Sequence, residues 1–159
     1  RRHTRFRNVT GVQTCALPIC DFVAGAIEME IDKRVTEGSE FIHVEGQGSL
    51  THQGYSSVTL GLLHGVMPDA MILVHHPIRK FDDYGLPISD VKKIISLHEQ
   101  ILSPFKKSNV VGIAMNTVNM NAQQISEAKK KLEEETNLPV ADVLTNEVSK
   151  LLDQILENI

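Results

Sequence analysis

The sequence predicts an α/β domain, a three-layer parallel sheet with helices on both faces, and three observations carry that prediction. Short continuous apolar runs stand at Glu40–Glu45, Ala70–His75 and Val110–Met115. Apolar residues at helical spacing fill the stretches between and after them. The resulting strand–helix–strand alternation has the lengths of right-handed crossovers, which join parallel neighbours.

Taken in order, Asp21–Glu28 (DFVAGAIE) is helix-like. Glu40–Glu45 (EFIHVE) reads as a strand covered on both faces that runs into a glycine-rich turn. A helix is expected from about Ser57 to Gly65, followed by the strand Ala70–His75 (AMILVH). Pro77–Pro87, with its charges and Gly85, is the best candidate for a mobile loop. Val91, Ile94, Ile95, His98, Ile101 and Leu102 then share one helical face, introduced by Pro87 and by Ser89 as candidate N-cap. Val110–Met115 (VVGIAM) is the third strand. Ile125, Ala128 and Leu132 mark a helix after Asn121, and Val148, Leu151, Leu152, Ile155 and Ile159 mark the last one.

The first nineteen residues, RRHTRFRNVTGVQTCALPI, belong to no such pattern. Val9–Ile19 resembles the in-frame translation of a common short-read sequencing adapter. Arg1–Arg5 resembles the indexed primer joined to it, with Phe6–Asn8 as the index. Residues 1–20 are therefore expected to be adapter-derived and disordered, with an N-terminally truncated domain at 21–159. The alternative is a basic arm or transit peptide. Those twenty residues carry four Arg and no acid, so residues 21–159 hold 12 Lys and Arg against 20 Asp and Glu, a net of −8. An acidic domain argues against nucleic acid as a partner. Both cysteines, Cys15 and Cys20, also fall in the suspect segment. A domain without cysteine needs no disulfide framework and suits a reducing cytoplasm, where it is expected to reside. No apolar run approaches the roughly 18–20 residues that span a bilayer, so no membrane partner is expected.

In parallel sheets ligands gather at the carboxyl ends of the strands. That rule selects three places. Glu45, at a strand tip before Gly46 and Gly48, has the placement of a carboxylate for Mg²⁺, or of a solvated turn residue. His75, His76 and Arg79 follow the second strand. Neighbouring histidines on a strand point to opposite faces, which disfavours one shared metal. Arg79 suits a phosphate or carboxylate, or else an exposed loop. Asn116 and Thr117 end the third strand, where an amide reads a base edge or caps its own turn. His52, beside Tyr55 in the segment after Gly48, has the pKa range for proton transfer, although a lone loop histidine is more often a hydrogen-bonding residue.

These residues carry a resemblance. Asp21–Glu28, Val44–Leu50 (VEGQGSL) with His52, Leu60–Gly65 (LGLLHG), Pro68–Ala70 and Asn116-Thr117 resemble, in order, the C-terminal domain of the DgcN-like D-glutamate N-acetyltransferase family. That family, long described as a domain of unknown function, is similar in fold to P-loop NTPase-like proteins near dethiobiotin synthetase. Gln53 and Ile78 stand where Pro and Gly are expected. The resemblance implies a Gly-rich phosphate loop and a Rossmann-like N-terminal domain before Asp21. No G-x-x-x-x-G-K-[ST] string occurs in this sequence, so the fragment is expected to lack that loop, the first strand and helix of its sheet, and activity. The resemblance further implies Glu45 and Asp21 on the metal side, Gly46, Gly48, Ser49 and Asn116 as cofactor-binding, and His52 and Arg79 as catalytic. The implied ligands are D-glutamate or a similar amino acid, with acetyl-CoA or with ATP and Mg²⁺. A homo-oligomer is an open expectation. Two other functions stand beside acetyl transfer: a nucleotide-binding regulatory or oligomerisation module, and an ATP- and Mg²⁺-dependent synthetase resembling dethiobiotin synthetase.

Overall fold

The computed structural model describes residues 10–145 and 148–156, with the backbone alone for 10–21. The chain divides at Met67–Pro68 into two compact units.

The first unit holds helix α1 (Thr10–Thr36), an irregular segment and helix α2 (Ser56–Val66). Residues 1–9 lie outside the described residues. The backbone of Thr10–Cys20 is helical, where disorder was expected. Elongating an already nucleated helix costs little, and Pro18 is the only strong breaker in that stretch. Any tolerant sequence joined to Asp21–Thr36 would follow it, so this conformation bears on local order and not on origin. Helix α2 packs on α1 through its glycines. A Cβ on Gly65 would stand 2.5 Å from the Ala24 carbonyl oxygen, and one on Gly61 would stand 2.9 Å from Val23 Cγ1. Gly65 thus brings the two backbones into direct contact, and Gly61, one turn earlier, seats the Val23 side chain.

Between these helices the structure corrects one expected element. Glu40–Glu45 forms no strand: it is irregular, and Phe41 is 71 % exposed. Strand propensity records fit to a neighbouring strand and a covering layer. Among the described residues nothing pairs with this run, so its composition alone does not hold it in a ladder.

The second unit is the sheet. Strands β1 (Ala70–His75), β2 (Asn109–Met115) and β3 (Val140–Asp142) lie in sequential order, and both neighbouring pairs are parallel. Helices α3 (Val91–Leu102) and α4 (Ala122–Thr136) cover one face, where Val91, Ile113, Met115, Leu132 and Val140 are buried together. Helix α5 (Val148–Leu156) covers the other, with Ala114, Ala141, Leu151 and Ile155. Alternation along β2 sends Ile113 and Met115 one way and Ala114 the other, so a single strand feeds both cores. Gly112 lets α5 lie close: a Cβ there would meet Leu151 Cδ1 at 3.1 Å and Ile155 Cδ1 at 3.2 Å.

The sequence places β1, β2, α2, α3 and α4 well, and leaves β3 out. The N-cap of α3 is Asp90 rather than Ser89, its carboxylate accepting from Lys92 N at 2.9 Å. A carboxylate there also meets the positive end of the helix dipole. Helix α4 starts with a capping box: Asn121 Oδ1 accepts from Gln124 N, and Gln124 Oε1 accepts from Asn121 N, both at 2.9 Å. Among the described residues no helix is long and apolar enough to cross a membrane.

Candidate functional site

The expected site residues fall into two groups, one in each unit. In the first unit, Glu45 and Gly46 are exposed, and Gly46 has open space around its Cα. Gly48 differs. Its φ is +69°, and a Cβ would run into Tyr55 Cβ. Only glycine meets both demands at low cost. The buried Thr59 hydroxyl of α2 donates to Gln47 O at 2.6 Å, which anchors the turn to the helix. Thr51 N donates to Ser49 Oγ at 3.3 Å, and the Ser49 and Thr51 hydroxyls lie 3.0 Å apart, so Ser49 is engaged within its own loop.

His52 is 8 % exposed and stacks on Tyr55, ring centroids 4.6 Å apart. Its backbone carbonyl accepts from Tyr55 N and Ser56 N as α2 begins. Its Nδ1 accepts from Gly54 N at 3.1 Å. An imidazole nitrogen that accepts carries no proton, so the neutral ring has its proton on Nε2. With Nδ1 engaged and Nε2 buried, His52 is no ready base in this conformation.

In the second unit the carboxyl ends of the strands are tied into one row. Asn116 N donates to His75 O at 2.8 Å, joining the ends of β1 and β2. Val143 N donates to Met115 O at 3.3 Å, joining β2 and β3. Thr117 Oγ1 donates to Asp142 Oδ1 at 2.8 Å in a buried bond. Asn116 Oδ1 accepts from Val118 N at 3.1 Å, so its side chain caps its own turn. Asp142 is 3 % exposed and accepts as well from Leu144 N at 3.0 Å. Asp142 and its bond with Thr117 escape a reading of the sequence because β3 is three residues long and the pair lies 25 positions apart. The available signal is an Asp closing an apolar run after Pro139.

A cleft of about 420 Å³ lies in the same unit, lined by His75, Arg79, Lys80, Asp90, Lys131 and Glu135 among others. Burial, and then the neighbouring His76 charge, lower the His75 pKa below the ordinary histidine value. Arg79 donates from Nε to Phe81 O at 3.2 Å and pairs with Asp83. It is thus part of an ordered hairpin. Asp82 accepts from Tyr84 N and Leu86 N, Ile88 N donates to Lys80 O, and Phe81 bridges to Pro87.

Metal ligation can be tested against these residues. Among the described residues no three His, Cys, Asp or Glu side chains gather into a metal-binding group. Glu45 offers one carboxylate, and the Asp21 side chain lies outside the described residues. No step is therefore routed through Mg²⁺.

Comparison with known proteins decides the family. The profile of the domain of unknown function DUF1611, C-terminal P-loop domain, matches residues 10–152. The chain belongs to the DUF1611 family. A D-glutamate N-acetyltransferase from Tritonibacter scottomollicae is 35 % identical over 144 residues, which are 86 % of this chain and 41 % of that protein. A second D-glutamate N-acetyltransferase, from a Pseudoalteromonas species, is 32 % identical over 141 residues, 84 % of this chain and 41 % of the relative. A DUF1611 crystal structure from Anabaena variabilis superposes with a TM-score of 0.80 at 35 % identity, covering 87 % of this chain and 41 % of that one. The chain thus spans about two-fifths of the length of these relatives. The fold is P-loop-like, as the resemblance implied.

Proposed function

We propose that this chain is the P-loop-like domain of an enzyme that transfers an acetyl group to the amino group of D-glutamate. The observation that carries the reading is the 35 % identity over 144 residues to a D-glutamate N-acetyltransferase. Acetyl-CoA is the simplest donor. Transfer from it requires a base for the substrate ammonium and donors for the oxyanion of the tetrahedral intermediate. His52 Nε2 is buried in this structure, so His52 serves as such a donor only after its ring turns outward. The exposure of the Glu45 carboxylate, beside Gly46, supports a role for it in meeting the substrate ammonium. Arg79 and Lys80 give the second unit's cleft cations for a carboxylate or a phosphate. The Asn116 amide supplies a further polar contact at the strand ends. The alternative donor, acetate activated by ATP and Mg²⁺, is supported by the P-loop family and by no further observation.

A chimera tests this: the Tritonibacter relative with its matched segment replaced by residues of this chain. Acetyl-CoA and D-glutamate should yield N-acetyl-D-glutamate, and the L-enantiomer should react much more slowly. Turnover only with acetate, ATP and Mg²⁺ would select the alternative donor. A folded chimera inactive with both donors would remove the acetyltransferase reading.

A further inference from the structure

The row across the strand ends contains two side chains to which nothing above assigns a role. We infer that Thr117 and Asp142 are positioning residues, which hold the turn after β2 so that Asn116 presents its amide in one fixed polarity to a ligand. The inference rests on the carboxyl ends of the strands being the ligand-binding end, as the proposed function requires.

The argument starts from burial. Asp142 and Thr117 are 3 % and 7 % exposed, so a missing partner at either would cost the full desolvation of a polar group. Their bond, at 2.8 Å, fixes the backbone one residue beyond Asn116. On the other side, Asn116 N is fixed to His75 O. The Asn116 backbone is thereby clamped from both directions. Its Oδ1 takes Val118 N–H, and a backbone N–H there can face only the oxygen end of the amide. The Nδ2 amino group is then the end left for a ligand, with two donors and no acceptor. A group meeting it must bring lone pairs: a carboxylate, a phosphoryl oxygen or an unprotonated ring nitrogen. A bare ammonium finds no partner there.

Side-chain amide NMR on ¹⁵N-labelled chain tests this without any turnover. In wild type the Asn116 NH₂ group should relax as slowly as the sheet backbone. Thr117→Val, which keeps volume and removes the hydroxyl, should make it mobile, and Thr117→Ser should restore it. Asp142→Ala, which removes the acceptor of the Thr117 hydroxyl, should make it mobile as well. A Thr117→Val chain with an Asn116 signal like wild type would overturn the inference. If Thr117→Val does not fold, the other two variants decide: a fixed Asn116 in folded Thr117→Ser beside a mobile one in folded Asp142→Ala supports the clamp, and any other pattern overturns it. Loss of acetyl transfer with this NMR pattern intact would count against the proposed function alone.

Discussion

The segment around Gly48 and the turn after β2 both place polar side chains, and they are held by different means. The first is shaped by backbone: a glycine at φ +69°, pressed against Tyr55, with the Thr59 hydroxyl pinning Gln47 O. The second is shaped by a buried polar pair, Thr117 and Asp142, that crosses from β2 to β3. A backbone-shaped turn is local and fails when its glycine is replaced. A pair-shaped turn is non-local and fails when either partner loses its hydrogen-bonding atom. Both leave neighbouring polar groups, Glu45 in one and Asn116 in the other, at positions a ligand can reach.

Substitutions that break each device separately sharpen the contrast. Gly48→Ala should be the most damaging to stability, by about 2–4 kcal/mol, because the left-handed backbone and the overlap with Tyr55 add. Gly46→Ala, with nothing within 4 Å of its Cβ, should stay within about 0.5 kcal/mol of wild type. Urea melts of the two variants read this directly, and equal losses would show that Gly48 does not shape the turn. Asp142→Ala comes next, at about 1–3 kcal/mol, since it strands the Thr117 hydroxyl and the Leu144 N–H. Its loss should shrink in a Thr117→Val background, and strict additivity in that double-mutant cycle would deny the coupling.

The smallest effect is a pH dependence at the end of β1. Burial and the His76 charge lower the His75 pKa in the folded state. Between that value and the unfolded value near 6.5 the unfolded chain binds more protons, so stability falls as pH drops through this window and levels off below it. His75→Gln should flatten that part of the curve of Tm against pH. An unchanged slope would mean that other groups set it.

These devices differ in how far the sequence displays them. Gly46 and Gly48 after an apolar run announce a sharp turn, and the EGQGSL string with His52, together with LGLLHG, carries the most specific part of the family resemblance. Asn121 and Gln124 announce the capping box of α4 in the same local way. The pairing of Asp142 with Thr117 is invisible to local pattern, because Thr117 only marks a strand end and Asp142 looks like an ordinary polar residue until β2 and β3 are set side by side. The missed strand β3 hides the partner. Conversely, Glu40–Glu45 has the composition of a buried strand and is irregular, because pairing needs a neighbour and composition supplies none. The close approach of α2 to α1 through Gly61 and Gly65 is spelled out as glycines four apart, but the spacing gains meaning only when Val23, Ala24 and Ile27 are seen against it.

The most direct test of the functional account compares Glu45→Gln with Glu28→Gln in the D-glutamate acetylation assay of the chimera. Both carboxylates are exposed, one beside the glycine turn and one on α1. Gln keeps the size of Glu and removes its charge. The account predicts a loss in kcat/KM of roughly ten- to a thousandfold for Glu45→Gln, the scale of removing an electrostatic stabiliser, and little change for Glu28→Gln. Recovery of part of the loss by added Mg²⁺ would assign the carboxylate to a metal, and a loss insensitive to Mg²⁺ to the substrate ammonium. Equal and small effects of the two substitutions would contradict the account, reducing Glu45 to a solvated turn residue and the domain to a binding or assembly module.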